Sequence, residues 1–421
     1  MSTGPRSAAA KGWHPRRQPV LSRSLESDPV CPDNLPAMQL TRTAFGMWSG
    51  GRFMHFGEPL PDNRLIDLVR SAHEEGIRTL LTADVYGEGE ADRLLGEALE
   101  GFPRDNYSLV GAIGHDFYHG QRDGAKGFPR FTNPMLRKPA EYASYLRFAA
   151  EKALERCRAD RFDLLLLHNP DATGYTSDAV WKGMEKLKDA GLTSQLGVAP
   201  GPANGFTLDL ILCLERFQGL IDWAMIILNP LEPWPGRLSL PAAEKTNTKI
   251  LTRVVDYGGL FHDDVKPQHT FGARDHRKFR PAGWVEAGME KIERMRPIAE
   301  AHGLTMLQLA CIWNLQHDPV RSVVPTLIEE AGADGKPIER KLEELAALPE
   351  ISLTPEEFGR IAEIGNNANC MSLKGGSAEY TGEPLPDRWS LNPELSAVAE
   401  RWRINPAEDL ANPMQPVEAA G

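Results

Sequence analysis

The chain has 421 residues, of which 41% are hydrophobic and 25% charged, the ordinary balance of a soluble globular fold. A net charge of −11 argues against a nucleic-acid backbone or an anionic membrane as the main partner. No apolar run approaches the roughly 20 residues of a transmembrane helix, and five cysteines (Cys31, Cys157, Cys213, Cys311 and Cys370) show no disulfide or zinc spacing, which suits a reducing cytoplasm.

Residues 1–37 are rich in Ser, Pro, Ala and Arg. Arg6, Lys11, Arg16 and Arg17 precede no apolar stretch, so a secretory signal is not expected, and Glu26 and Asp28 disfavour a transit peptide. A flexible arm is expected there. Over 38–370, short apolar runs alternate with amphipathic ones. Strands are expected near 40–46, 77–83, 107–113, 162–168, 194–199, 223–229, 249–255 and 320–326. Helices are expected between them at 63–75, 141–158, 178–190, 207–217, 290–302 and 305–316, followed by a pair at 337–347 and 354–364. Eight such units suit an α/β fold of the closed (β/α)₈ barrel type. A doubly wound sheet is the alternative, but no G-x-G-x-x-G follows the first strand. The segments after the third and seventh strands, 114–139 and 261–281, are long enough to be lids. Residues 371–421 form a C-terminal extension expected to pack on the barrel, with a short helix near 393–402.

Two stretches carry the chemistry. Ala83-Asp84-Val85-Tyr86-Gly87-Glu88-Gly89 runs from a buried strand into a glycine-rich turn, and a helix ending Leu94-Leu95-Gly96 follows. Asp163-Leu164-Leu165-Leu166-Leu167-His168-Asn169-Pro170 is an apolar strand ending in a histidine. Tyr86 and His168 both sit at the C-terminal ends of strands, where barrel active sites lie. Either can also be a packed ring or a satisfied core histidine.

Together the two stretches resemble the aldo/keto reductase superfamily, with its A-x-x-Y-G-x-G-x-x-x-x-x-L-G loop and a histidine closing the fourth strand. The resemblance covers about residues 39–365. It implies a tyrosine general acid at Tyr86, an orienting histidine at His168, a small carbonyl substrate and an NADP or NAD cofactor. It also implies an aspartate where Leu81 stands and a lysine where Ala112 stands, in Gly111-Ala112-Ile113-Gly114. In the family that ion pair lowers the phenol's pKa. Losing one member of a buried pair costs about 3–5 kcal/mol, whereas replacing both by apolar groups can be near neutral. This chain replaces both.

The cofactor positions differ too. The fifth strand ends Ala199-Pro200 where the family has Ser-Asn. The loop after the eighth strand, Thr326-Leu327-Ile328-Glu329-Glu330, carries two carboxylates that would repel a phosphate. Any surviving cofactor contacts are expected from Asn229, Thr326, Arg340 and Lys341. Substrate contacts are expected from Trp48, Asp84, Asn169, His115, Tyr118, Arg253 and Asp256. Arg253 and Asp256 either both face the pocket or form a strand-end salt bridge. His115, Asp116 and His119, with His262, Asp263 and Asp264, have metal-binding side chains, but no spacing is diagnostic and no metal is assigned.

Three functions follow as expectations. One is a Tyr86/His168 acid–base enzyme acting on a small hydroxylated carbonyl compound without redox chemistry, by elimination, isomerisation or retro-aldol cleavage. The second is an NAD(P)H-dependent oxidoreductase with altered cofactor contacts. The third is a catalytically silent barrel used for binding. The sequence sets no oligomeric state.

Overall fold

The computed structural model describes residues 39–124, 127–201, 206–280, 282–332, 335–366 and 392–409. The expected N-terminal arm and most of the C-terminal extension lie outside these residues.

Eight parallel strands follow one another in space as they do in sequence. They are β1 (Ala44–Gly46), β2 (Thr79–Leu81), β3 (Ser108–Ile113), β4 (Phe162–His168), β5 (Thr193–Ala199), β6 (Trp223–Ile227), β7 (Lys249–Arg253) and β8 (Val320–Val324). A parallel bridge between Thr43 and Val323, with Val323 N–H donating to Arg42 C=O at 2.9 Å, brings β8 back beside the start of β1. The fold is the expected (β/α)₈ barrel.

The strands read as near-continuous apolar runs because both faces are covered. Alternation still decides which face each residue serves. Leu165 and Leu167 of β4 pack outward with the helices, while Leu164 and Leu166 join the lumen cluster with Val110, Ala112 and Leu251. By the same parity His168 and Arg253, two residues beyond Leu166 and Leu251, continue the inward rows.

The expected helices form at Asp62–Glu74, Tyr142–Cys157, Asp178–Asp189, Thr207–Arg216, Met306–Leu315, Ile338–Ala346 and Pro355–Gly365. The helix expected from 290 starts earlier and runs Trp284–Ala301, because Trp284, Val285 and Met289 add a buried first turn. Short helices at Ala172–Thr176 and Leu240–Thr246 were not foreseen; each is too brief to show helical periodicity. In the extension, the Pro393–Trp402 helix sets Val398 and Ala399 against Leu208, Ile211 and Leu212 of the Thr207–Arg216 helix.

Candidate active site

After β2 the chain turns sharply through Gly87 (φ 60°), Glu88 (φ 56°) and Gly89 (φ 97°) before the Glu90–Ala98 helix begins. Left-handed residues in succession favour glycine, and the turn holds the Tyr86 ring over the lumen. Tyr86 meets Trp48 edge-on at 6.3 Å and His168 at 5.8 Å, the latter at 88° between ring planes. Trp48 has room because Gly46 carries no side chain: a Cβ there would sit 2.5 Å from the indole.

His168 closes β4, and the next residue, Asn169, turns the chain with φ 46°. The His115 ring lies 5.2 Å from that of His168. Its two nitrogens meet Arg130 (2.9 Å) and the Asn169 side-chain amide (3.1 Å), and the Arg130 Nε donates to the Asn169 carbonyl. Arg130, in the loop after β3, was not foreseen; loops carry no periodicity to reveal it. Burial, then the Arg130 charge, push the His115 pKa down to about 3. Burial, then His115, Arg130 and Arg253, hold His168 well below the usual imidazole range. Both imidazoles are therefore neutral at pH 7. The His168 Nδ1 is buried without a hydrogen-bond partner.

Leu81 and Ala112 lie in the lumen cluster that also holds Trp48 and touches Tyr86. The cation that acts on the phenol comes instead from β7. Arg253 reaches across β6 and donates to the carbonyls of Pro200 (3.1 Å) and Gly201 (2.6 Å), just beyond Ala199, the cross-strand neighbour of His168. Burial raises the Tyr86 pKa to about 12, and the Arg253 charge offsets only part of this. Arg253 thus supplies a cation near the phenol where Leu81 and Ala112 supply none, but it does not bring the phenol down.

Residues 43–366 match the aldo/keto reductase family. The chain belongs to that family. A probable voltage-gated potassium channel subunit beta from Arabidopsis thaliana is 21% identical over 345 residues, covering 78% of this chain and 93% of that protein. Among solved structures, a glycerol dehydrogenase from Gluconobacter oxydans is 24% identical with a TM-score of 0.60, covering 85% of this chain and 98% of that one. An aldo/keto reductase from Klebsiella pneumoniae, in complex with NADP and acetate, is 18% identical with a TM-score of 0.51, covering 77% and 90%. These structural likenesses carry the fold.

Other residues expected in the mouth of this aldo/keto reductase lie elsewhere. Asp84 is buried, with neither carboxylate oxygen hydrogen-bonded. Its electrostatic neighbours are Asp92, Arg156 and Asp116, and burial holds its pKa well above the carboxylate range. Tyr118 stacks on Phe117 and accepts from Arg156 at 3.0 Å, on the side of the Tyr142–Cys157 helix. Arg253 and Asp256 do not pair. Val254, a β-branched residue at φ 59°, turns the chain between them, and the Asp256 carboxylate accepts from Thr326 N–H (2.7 Å) and Gly259 N–H (3.0 Å). Among the described residues, no group of three or more His, Cys, Asp or Glu is placed to hold a metal ion.

The expected cofactor residues are also engaged. In barrels an anion site commonly forms between the loops after strands 7 and 8, at a helix N-terminus. Here side chains stitch that gap shut. Glu329 accepts from Ile338 N–H at 2.9 Å, at the start of the Ile338–Ala346 helix, and pairs with Arg64 at 3.0 Å. Glu330 pairs at 2.5 Å with the fully buried Arg277, which also holds Asp275 at 2.7 Å. Lys341 is buried between Asp264 (2.6 Å) and the Ile328 carbonyl (2.5 Å). Thr326 is tied by Asp256 and by His262 at 2.8 Å, Asn229 binds its own loop and the Val254 carbonyl, and Arg340 is exposed against Glu343.

Proposed function

We propose that the protein is an aldo/keto reductase-type enzyme that moves protons on a small hydroxylated carbonyl compound, without a hydride step. Tyr86 and His168 act as its acid–base pair. One observation carries this reading: a phenol and an unprotonated imidazole face each other at 5.8 Å in a mouth where Leu81 and Ala112 leave no ion pair.

The phenol, with its pKa near 12, stays protonated through the neutral range and donates to a substrate carbonyl oxygen. His168, neutral and with Nδ1 unengaged, accepts a proton from the carbon next to that carbonyl. The C–H electron pair becomes the new C=C bond, and the former carbonyl π pair moves to the oxygen beside Tyr86. Returning the proton from His168 to the former carbonyl carbon, while the α-hydroxyl becomes the new carbonyl and gives its proton back to Tyr86, completes an isomerisation; expelling a β-hydroxyl as water, with the proton held by His168, while the enol O–H returns its proton to Tyr86, completes an elimination.

The engaged groups between the loops after β7 and β8 argue against a nicotinamide dinucleotide. The helix N–H at Ile338 already holds the Glu329 carboxylate, and the nearby cations Arg64, Arg277 and Lys341 are each paired with a carboxylate. No step is routed through it. The alternative, an NAD(P)H-dependent oxidoreductase, is favoured by the glycerol dehydrogenase and NADP-complex relatives. Titrating the full chain with NADPH and NADH while following nicotinamide fluorescence separates the two readings. No saturable binding at submillimolar cofactor is the expected result. Tight binding of either nucleotide would sink the non-redox reading.

A further inference from the structure

Among the described residues, two arginines of the barrel mouth are held by no ion pair. Arg253 gives hydrogen bonds to two carbonyls, and its Nε is buried with no partner at all. Arg130 contacts only neutral acceptors: the carbonyls of Asn169 and Phe128 and a ring nitrogen of His115. Neither guanidinium forms an ion pair among the described residues, although most other arginines there do. Acids do stand in the surroundings. Asp171 attracts Arg130, and Glu232 attracts Arg253, but only at a distance. Asp171 is itself occupied, accepting from Thr132 at 2.7 Å and Gly174 at 2.8 Å.

Both cations bear on His168. Arg130 reaches it through His115, whose ring is 5.2 Å from His168. Arg253 reaches it from β7, through the carbonyls beyond Ala199, the β5 neighbour of His168. Each also borders a hollow of its own, neither lined by Tyr86 or His168: Arg253 one with Pro200, Thr207, Ile227 and Ser239, and Arg130 one with His119, Asp123, Phe128 and Leu136. Removing two guanidinium charges from water without a counter-charge is costly. Their planar donor forks match an oxyanion.

We propose that the substrate carries a fixed anionic group, a carboxylate or a phosphate ester, held between Arg253 and Arg130 while its carbonyl carbon lies between Tyr86 and His168. This rests on the acid–base reading above and adds the substrate class: a small hydroxylated acid or sugar phosphate in place of a neutral sugar. The bound anion also improves the base. A negative charge beside His168 offsets the arginine field that depresses it, so the imidazole becomes a better proton acceptor only when substrate is in place.

Calorimetric titration of the full chain with D-glycerate, glycerol 3-phosphate and glycerol tests this at low salt. At least one anion is expected to bind tenfold or more tightly than glycerol, with affinity falling as KCl is added; which anion wins tells carboxylate from phosphate. Arg253→Gln and Arg130→Gln are each expected to weaken that binding at least tenfold, with Arg253→Lys intermediate. Circular dichroism and the thermal midpoint check that the variants fold, and the salt dependence of the wild type stands if one does not. Tyr86→Phe is expected to bind the anion like wild type, so failure of the acid–base reading would show as retained turnover in that variant with anion binding unchanged. Equal affinity for glycerol and both anions, or wild-type anion affinity in folded Gln variants, would overturn the proposal.

Discussion

The barrel mouth and the seam between the loops after β7 and β8 are built from the same residue types with opposite outcomes. In the seam, Arg277 is fully buried and paired with two carboxylates, and Lys341 is buried against Asp264 and a carbonyl. In the mouth, Arg253 and Arg130 see carbonyls and a neutral imidazole, and the phenol that Arg253 acts on is left at a raised pKa. A buried charge that is satisfied holds structure together, and one that is left unsatisfied waits for a ligand. In the seam, Arg277 and Lys341 have spent their charge on internal carboxylates, and the two mouth arginines have kept theirs.

The largest effect that sharpens this contrast belongs to the mouth. Tyr86→Phe removes the hydroxyl of the ring that faces His168, and a positioned general acid contributes roughly 10²–10⁴-fold. Turnover on any carbonyl substrate should fall by at least about 10²-fold with the thermal midpoint within error of wild type. Full activity in the variant removes Tyr86 from the mechanism. Next comes the seam. Arg277→Ala leaves Asp275 and Glu330 facing each other without their shared cation, a loss of about 3–5 kcal/mol for a broken buried pair. Urea unfolding measures it, and a change under 1 kcal/mol would mean that the seam is solvated rather than dry.

The sequence made the barrel legible because alternation of apolar runs and amphipathic helices survives in every unit, and β4 shows it most plainly in Leu164–Leu167. His168 was legible for the same reason, since it ends that run. The direction of Arg253 was also within reach: it lies two residues past the inward Leu251, so parity alone aims it at the lumen. The sequence left two options open, both Arg253 and Asp256 facing the pocket or a strand-end salt bridge, and the turn between them was not legible. A β-branched residue at φ 59° is not something sequence patterns announce, and the turn at Val254 carries Asp256 away to cap the backbone of the β8 loop. Arg130 was out of reach because the loop after β3 has no period, and its approach to His115 depends on an antiparallel bridge between the two residues. The seam was half legible. Glu329 and Glu330 were read as repelling a phosphate, but that they take its place, on Ile338 N–H and Arg277, needed three dimensions.

A smaller effect tests burial without a partner away from both regions. Asp209, near the start of the Thr207–Arg216 helix, is pushed up to about 6 by desolvation, offset only by its own backbone N–H. A raised folded pKa means that the native state holds the proton more tightly than the unfolded chain. The stabilisation is complete below the unfolded value near 3.8 and is lost as pH rises through about 6. Asp209→Asn should flatten the stability profile between those limits and gain on the order of 2 kcal/mol over wild type at pH 7.5. An unchanged slope would mean that Asp209 finds a counter-charge in solution.

The smallest expected effect is the most direct check on the seam. Arg340 is the exposed basic residue nearest the helix N-terminus at Ile338, and it pairs with Glu343 at 2.5 Å on the same helix, open to solvent. Exposed pairs of this kind contribute little, because two flexible chains and screening water give back most of the attraction. Arg340→Ala should therefore leave the thermal midpoint where it was and leave nucleotide titrations flat. If wild type does bind NADPH and Arg340→Ala weakens it more than NADH, the side chain has swung from Glu343 to a 2′-phosphate. Glu329 would then have to leave Ile338 N–H, and the seam would be a gate rather than a closure.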